Sequence, residues 1–94
     1  MKGGITVNDI QIKCFLAAAQ SRSFSEAAEK VYMTPPTFGR YISSFETELG
    51  YPLFLRGWKN LRLTAAGEMM YEGIRELQLQ FEQLQTEAKR LNAG

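Results

Sequence analysis

Histidine is missing from this 94-residue sequence, and cysteine occurs only once, as Cys14. Without histidine the chain lacks a common metal ligand and the usual general base near neutral pH. A single cysteine excludes an internal disulfide bond and a zinc site built from several cysteines. We therefore expect no enzyme activity, no metal and no cofactor, and we interpret Cys14 as a small buried side chain.

Long apolar runs are also missing, since no stretch approaches the ~18 consecutive residues of a membrane span. The chain does not begin with a basic and then apolar leader, because polar Asn8 and Asp9 follow the first few residues at once. We expect a cytoplasmic protein with no membrane partner. The composition, 45% hydrophobic and 22% charged, is typical of one small folded domain.

The net charge of +1 hides an uneven distribution along the chain. Residues 1–64 contain eight basic and five acidic side chains, whereas residues 65–94 contain three basic and five acidic ones. A basic first part before an acidic second part indicates an anion-binding surface in the first part. An ordinary solvated surface is the alternative that charge alone leaves open.

Sequence patterns in the first third of the chain predict two helices and a turn. Asn8 and Gln11 have the spacing of a capping box at the start of a first helix. Ser25 is a candidate N-cap for a short helix over residues 26–31, and residues 32–34 are predicted to form a turn with Met33 directed inward. The apolar face predicted for the first helix consists of Ile12, Phe15, Leu16 and Ala19.

A third helix is predicted after Thr34, which can cap it. Prolines are tolerated in a first helical turn, where backbone amides have no partner within the helix, and Gly50 is a typical residue at which a helix ends. The inward stripe predicted for this helix consists of Phe38, Ile42, Phe45 and Leu49.

Two short extended segments follow, at residues 52–56 and 61–63, and residues 57–60 are predicted to form the turn between them. The resulting hairpin must pack on the helices, because two strands alone are not stable. Thr64 can cap a last helix with an apolar seam of alternating four- and three-residue spacing. This seam consists of Met70, Ile74, Leu77, Phe81, Leu84, Ala88 and Leu91.

A small three-helix domain cannot cover an apolar seam of this length. We therefore expect the seam to form the interface of a homodimer, and packing within one protomer is the alternative. The predicted fold class is mainly α: a winged helix-turn-helix, made of three helices and a two-stranded hairpin wing, followed by a long dimerisation helix. Residues 1–64 would form the DNA-binding domain and residues 65–94 the linker helix.

This order of elements predicts a function, because the second helix of a helix-turn-helix can enter the major groove of DNA. The helix at residues 34–49 would do so, and the wing at residues 53–63 would lie in or near the minor groove. Arg40 can pair with guanine or phosphate. The residues expected to bind double-stranded DNA are Ser25, Pro35, Pro36, Thr37, Arg40, Tyr41, Arg56, Lys59 and Arg62.

Several of these residues have a simpler interpretation. Arg40 and Arg62 could be ordinary solvated side chains, and Tyr41 could pack on the rim of the core. Trp58, at the predicted turn, is expected to cover the base of the hairpin rather than to contact DNA.

Four segments of the chain resemble the N-terminal DNA-binding region of LysR-type transcriptional regulators. They are residues 15–19 (FLAAA), 23–29 (SFSEAAE), 48–54 (ELGYPLF) and 62–68 (RLTAAGE), with Pro36, Arg40 and Ile42 between them. The resemblance implies a bacterial dimer paired through its linker helices and bound to a partly palindromic operator. It also implies a following effector-binding domain and, for the full-length protein, RNA polymerase as a further partner.

The chain ends where that effector-binding domain would begin, so we expect a fragment of a longer protein, with a naturally short protein as the alternative. Three positions depart from the family pattern: Pro35 replaces a usual glutamine, Gly39 a usual serine and Leu55 a usual glutamate in the wing. Because Pro35 and Gly39 have no side-chain donor, the operator cannot be inferred from relatives. A winged-helix module that binds protein instead of DNA is the alternative function.

Overall fold

The computed structural model describes residues 7–55 and 61–94. In these residues the mainly α architecture predicted from the sequence is confirmed, with a two-stranded hairpin before a long last helix. The turn predicted at residues 57–60 lies outside the described residues. The elements in chain order are α1 (Asp9–Ala19), α2 (Phe24–Lys30), α3 (Pro35–Leu49), β1 (Phe54–Leu55), β2 (Arg62–Leu63) and α4 (Ala65–Ala93).

Helix α1 begins with the predicted capping box. The Gln11 amide donates to Asn8 Oδ1 over 2.9 Å, and the Asn8 amide donates to Gln11 Oε1 over 3.1 Å. The predicted apolar face needs correction, because α1 packs against both α2 and α3 and is covered over a different arc. Ile12, Leu16 and Ala19 are only half-buried. The buried residues of α1 are Gln11, Cys14, Phe15, Ala17 and Ala18.

Helix α2 begins two residues earlier than predicted. Its N-cap is Ser23, whose hydroxyl accepts a hydrogen bond from the Glu26 amide over 3.1 Å, so the prediction of Ser25 as the cap is wrong. The Phe24 ring packs edge-on against the rings of Phe38 and Phe54, at centroid distances of 5.6 and 6.0 Å. These tertiary contacts hold Phe24 within the first turn and leave Ser25 exposed.

The turn after α2 is a Schellman motif, in which two backbone amides bond back to the last helical turn. The Met33 amide donates to the Ala28 carbonyl over 2.9 Å, and the Tyr32 amide donates to the Glu29 carbonyl over 3.1 Å. Tyr32 therefore adopts a left-handed backbone conformation, with φ of 59°. Met33 is directed inward as predicted, and its sulfur lies 3.8 Å from that of Cys14.

Helix α3 has the predicted boundaries. Thr34 caps its first turn, which contains two prolines, and Gly50 ends it with φ of 91°. Phe38, Ile42 and Phe45 are buried, whereas Leu49 is half-buried. This inward stripe fixes which side of α3 faces solvent.

Aromatic rings form the centre of the core. The Phe15 ring lies 5.8 Å from the ring of Phe45 and 5.7 Å from that of Phe54, measured between centroids. The hairpin joins this core through Phe54, which pairs with Leu63 in an antiparallel register. One carboxylate oxygen of Glu46 accepts hydrogen bonds from the backbone amides that lead into the hairpin, those of Leu53 at 2.7 Å and Phe54 at 3.2 Å.

Helix α4 is capped by Thr64 and packs on the body only near its beginning. Met70, Tyr71 and Ile74 contact the core, so the first two seam residues are partly used within the protomer. The rest of the seam is uncovered by the described residues. The large exposed seam side chains, with their exposed fractions, are Leu77 (64%), Phe81 (60%), Leu84 (67%) and Leu91 (73%).

Candidate nucleic-acid interface

The outward side of α3 carries most of the predicted DNA-binding residues. Pro35, Pro36 and Arg40 are exposed, and Thr37 and Tyr41 are half-buried. Among the described residues, Arg40 makes no ion pair with a carboxylate. Thr37, Arg40 and Tyr41 share one open surface groove, and the other residues that line it are Ser43, Ser44 and Thr47.

Two of these side chains are held by contacts within the protein. The Thr34 hydroxyl donates to the Thr37 hydroxyl over 3.1 Å and accepts from the Thr37 amide over 3.4 Å. Tyr41 packs partly against the core, as the simpler interpretation of this residue proposed. Arg40 is therefore the least constrained of the three groove residues named from the sequence.

The electrostatics of α3 are asymmetric along its axis. Its first turn contains no acidic residue, whereas Glu46 and Glu48 lie near its end. The first helical turn also lies at the positive end of the helix dipole. The half of α3 that contains Arg40 is thus suited to a polyanion, and the last turn is not.

The remaining predicted contacts lie on other elements. Ser25 is exposed in the first turn of α2. Arg62 is exposed on β2, opposite Leu55 in the hairpin register. Arg56, Trp58 and Lys59 lie outside the described residues, so the structure places only one of the predicted wing cations.

Sequence reasoning missed a polar contact between α1 and α3. Gln11 is only 3% exposed, and its Nε2 donates to the Ser44 hydroxyl over 2.9 Å. The capping-box spacing accounts for Gln11 locally, and no signal in the sequence points to a partner 33 positions away.

A second missed contact joins the C-cap residue of α1 to α4. Gln20 Nε2 donates to the Tyr71 phenolic oxygen over 3.1 Å, and Arg75 Nη1 donates to the same oxygen over 3.2 Å. The Tyr71 ring also packs edge-on against the Phe15 ring, with centroids 6.5 Å apart. Tyr71 thereby connects the base of the long helix to the core.

The structure also places the single cysteine, and the described residues bear on metal binding and on membrane-spanning helices. Cys14 is fully buried, as predicted, and burial raises the pKa of its thiol although Lys13 nearby acts in the opposite direction. In the part of the chain that the structure describes, no group of three or more acidic or cysteine side chains could hold a metal ion. No helix there has the length and apolar character needed to cross a membrane.

A profile for a known protein family matches most of the chain. Residues 10–68 match the family described as "Bacterial regulatory helix-turn-helix protein, lysR family". The chain is 38% identical over 73 residues to the HTH-type transcriptional activator IlvY of Salmonella typhimurium, covering 78% of this chain and 25% of that protein. It is 32% identical over 81 residues to a probable cat1 operon transcriptional activator of Acinetobacter lwoffii, covering 86% and 27%. The chain thus spans about a quarter of the length of these relatives.

Solved structures give the same fold. The BenM DNA-binding domain in complex with benA site 1 DNA superposes with a TM-score of 0.84 at 28% identity, covering 93% of this chain and 99% of that one. The CbnR DNA-binding domain in a DNA complex gives 0.78 at 27% identity, covering 94% and 100%. Vibrio fischeri DarR in complex with DNA gives 0.81 at 31% identity, covering 94% of this chain and 30% of that one.

Proposed function

The chain belongs to the lysR family of bacterial regulatory helix-turn-helix proteins, and on this basis we propose that it is the DNA-binding domain of a transcriptional regulator. In this proposal the domain binds DNA and catalyses no reaction. Its proposed location is the cytoplasm, which contains the bacterial chromosome. The observation that carries this proposal is the open groove along α3, where Arg40 is exposed beside Thr37 and Tyr41.

In this proposal α3 enters the major groove with its first two turns. Arg40 pairs with a guanine edge or a phosphate, and Thr37 offers its methyl or hydroxyl group to a base. Because Tyr41 is half-buried, it contributes from the rim, against sugar or phosphate. Neither Pro35 nor Pro36 has a side-chain donor, so they make no hydrogen bond to a base. Their role is to fix the backbone at the start of α3. Ser25 contacts the DNA backbone from α2.

The hairpin supplies the second contact. Arg56, Lys59 and Arg62 together make it basic, and cations are attracted to a narrow minor groove, where negative potential is concentrated. Arg62 supports this proposal because its side chain is exposed on β2.

Dimerisation is proposed through the exposed part of the α4 seam. Leu77, Phe81 and Leu84 present apolar surface to solvent at helical spacing, which favours a second helix over water. A dimer would place two copies of α3 one helical turn of DNA apart, about 34 Å, or a multiple of it, on a partly palindromic operator. Met70 and Ile74 form the end of this interface nearest the core, against which they also pack.

We further propose that residues 1–64 are the DNA-binding unit and residues 65–94 the linker helix of a longer regulator with an effector-binding domain. The packing of Met70, Tyr71 and Ile74 on the core makes the base of α4 part of the first unit. RNA polymerase is a proposed partner of that longer protein.

Binding of genomic DNA fragments at low and at raised salt tests the DNA contact. We expect Arg40→Ala to weaken binding to a selected fragment by about 1–3 kcal/mol if it reads guanine. Lys89→Ala is the control, because it removes one positive charge from the far end of α4 and should leave binding nearly unchanged. Absence of DNA binding by the unaltered chain at low salt would overturn the proposal and leave the protein-interaction module as the alternative.

Sedimentation tests the dimer. Leu77→Asp combined with Leu84→Asp places charges in the seam, and we expect it to give monomers that still fold. Leu79 provides a matched control, since it is also exposed (51%) but lies on the opposite side of α4. If Leu79→Asp dissociated the dimer while the seam variant did not, the proposed interface would be wrong.

A further inference from the structure

Gln11 is buried and polar, and its side-chain amide is bonded at both ends. Gln11 Oε1 accepts from the Asn8 amide over 3.1 Å, and Gln11 Nε2 donates to Ser44 Oγ over 2.9 Å. The first of these bonds fixes the orientation of the amide, because an acceptor must face the Asn8 N–H. The second bond then presents a donor, and not an acceptor, to Ser44.

The direction of this bond determines what the Ser44 hydroxyl can do. A serine hydroxyl has one hydrogen to donate and two lone pairs with which to accept. Since the Gln11 N–H occupies one lone pair, the Ser44 hydrogen is directed elsewhere. In residues 7–55 and 61–94 no protein group accepts that hydrogen. Ser21 shows the usual alternative for a serine near a helix, since it donates to the Ala17 carbonyl over 2.7 Å.

Ser44 lies where its hydroxyl can donate this hydrogen to a ligand. It is exposed, lines the same groove as Thr37, Arg40 and Tyr41, and is bonded to Gln11 of α1. It also follows Arg40 by four positions, so the two side chains are neighbours on one helix face. A phosphate drawn toward the Arg40 guanidinium would lie within reach of a hydroxyl one turn further along.

We propose that the Ser44 hydroxyl donates a hydrogen bond to a DNA phosphate, and that Gln11 is the positioning residue that holds the hydroxyl in the donating orientation. This inference rests on the proposed function, because it requires DNA in the groove of α3. Phosphate contacts fix the register of a protein on the duplex but carry no sequence information. Ser44 therefore contributes affinity and alignment, and the choice of bases belongs to other residues.

The first test is Ser44→Ala, measured by fluorescence anisotropy on a selected genomic fragment and on an unrelated duplex. We expect binding to both to weaken by the same factor, about threefold to tenfold. The dependence of affinity on salt should keep its slope, because a neutral hydroxyl displaces no counterion, whereas Arg40→Ala should lower the slope. Ser44→Thr keeps a hydroxyl and should restore most of the affinity.

The second test asks whether Gln11 acts through Ser44. Gln11→Met keeps the side-chain length but removes the donor to Ser44 together with the acceptor of the Asn8 amide, and we expect it to weaken binding by less than Ser44→Ala does. In the Ser44→Ala background it should have no further effect. Ser43→Ala is the matched control, since Ser43 is the exposed neighbour on the same helix and its effect should combine additively with that of Gln11→Met. Urea unfolding of each variant establishes that the assays compare folded proteins.

The third test identifies the phosphate. Single phosphates of the selected genomic fragment are replaced, one at a time, by neutral methylphosphonate groups. We expect one position at which the substitution weakens binding of the unaltered chain but not of Ser44→Ala.

The results that would overturn this inference differ from those that would overturn the proposed function. If the unaltered chain binds DNA and Arg40→Ala weakens that binding, but Ser44→Ala binds as tightly as the unaltered chain, this inference alone is wrong. Additive effects of Gln11→Met and Ser44→Ala would assign Gln11 a merely structural role. Failure of the unaltered chain to bind any duplex at low salt would remove the proposed function itself.

Discussion

A β-carbon added to Gly67 would lie 2.1 Å from the carbonyl oxygen of Leu53. That oxygen already accepts a hydrogen bond from the Thr64 amide over 2.9 Å, and the Thr64 hydroxyl donates to the Pro52 carbonyl, also over 2.9 Å. The first turn of α4 is therefore held against the segment that enters β1, at a distance that only glycine permits. This contact joins the wing to the linker helix.

Gly67→Ala is accordingly expected to destabilise the fold strongly. The added methyl group must displace backbone and not a flexible side chain, which costs about 3 kcal/mol or more. Gly39→Ala is the matched control, because nothing lies within 4 Å of a β-carbon there and alanine should stabilise α3 by about 1 kcal/mol. Urea unfolding measures both, and equal effects of the two substitutions would contradict the proposed close approach.

Tyr32→Gly is expected to stabilise the protein. Tyr32 is 95% exposed and occupies the left-handed position of the Schellman motif, where glycine avoids a steric cost. The expected gain in the free energy of unfolding is about 1 kcal/mol. Tyr32→Ala separates backbone strain from loss of the ring, since alanine retains the strain and should give no gain. A gain from alanine as large as that from glycine would disprove this explanation.

Removing the Glu46 carboxylate should weaken the attachment of the hairpin. Glu46→Ala leaves the amides of Leu53 and Phe54 without this acceptor, and both of these residues are buried. We expect a loss of about 2–3 kcal/mol in the free energy of unfolding. Glu48→Ala, two positions along the same helix and exposed, should change stability by less than about 0.5 kcal/mol. Thermal or urea unfolding of the two variants makes the comparison.

Cys14 should make stability fall at alkaline pH. Burial raises the pKa of its thiol in the folded state above the ordinary value of 9.0. The unfolded thiol therefore loses its proton first, so this contribution to stability is complete below pH 9.0 and is lost as the pH rises toward the folded-state pKa. Cys14→Ala should reduce the slope of unfolding free energy against pH in this range. An unchanged slope would mean that the thiol does not contribute.

The features predicted correctly from the sequence are those fixed by neighbouring residues. Asn8, Thr34 and Thr64 bond to amides three positions away, and Gly50 ends a helix through its own backbone freedom, so local patterns identify them. The apolar spacing of α4 is visible in the sequence for the same reason, because it repeats along one helix, whereas its use as a dimer interface stays a prediction. In the candidate site, the periodicity of α3 placed Arg40 and its neighbours on one face.

The features missed depend on contacts between distant parts of the chain. Ser23 and Ser25 are both able to cap a helix, and the burial of Phe24 against two other elements decides between them. Gln11 has a second partner on α3, and the need for glycine at position 67 arises from a carbonyl 14 positions earlier. The DNA contacts assigned to the outward side chains remain predictions.

Helix α4 touches the body only as far as Ile74, so the following residues, up to Ala93, project as a rod of about 28 Å. For a rod of that length, a tilt of ten degrees at the base moves the tip by about 5 Å. The hydrogen bond of Gln20 to Tyr71 braces this base against the body, and Arg75 bonds to the same phenolic oxygen from within α4. In a dimer joined along this part of α4, a small change in the contact between Gln20 and Tyr71 would alter the distance between the two copies of α3. The distance between the two copies of α3 would then depend on residues at the base of α4.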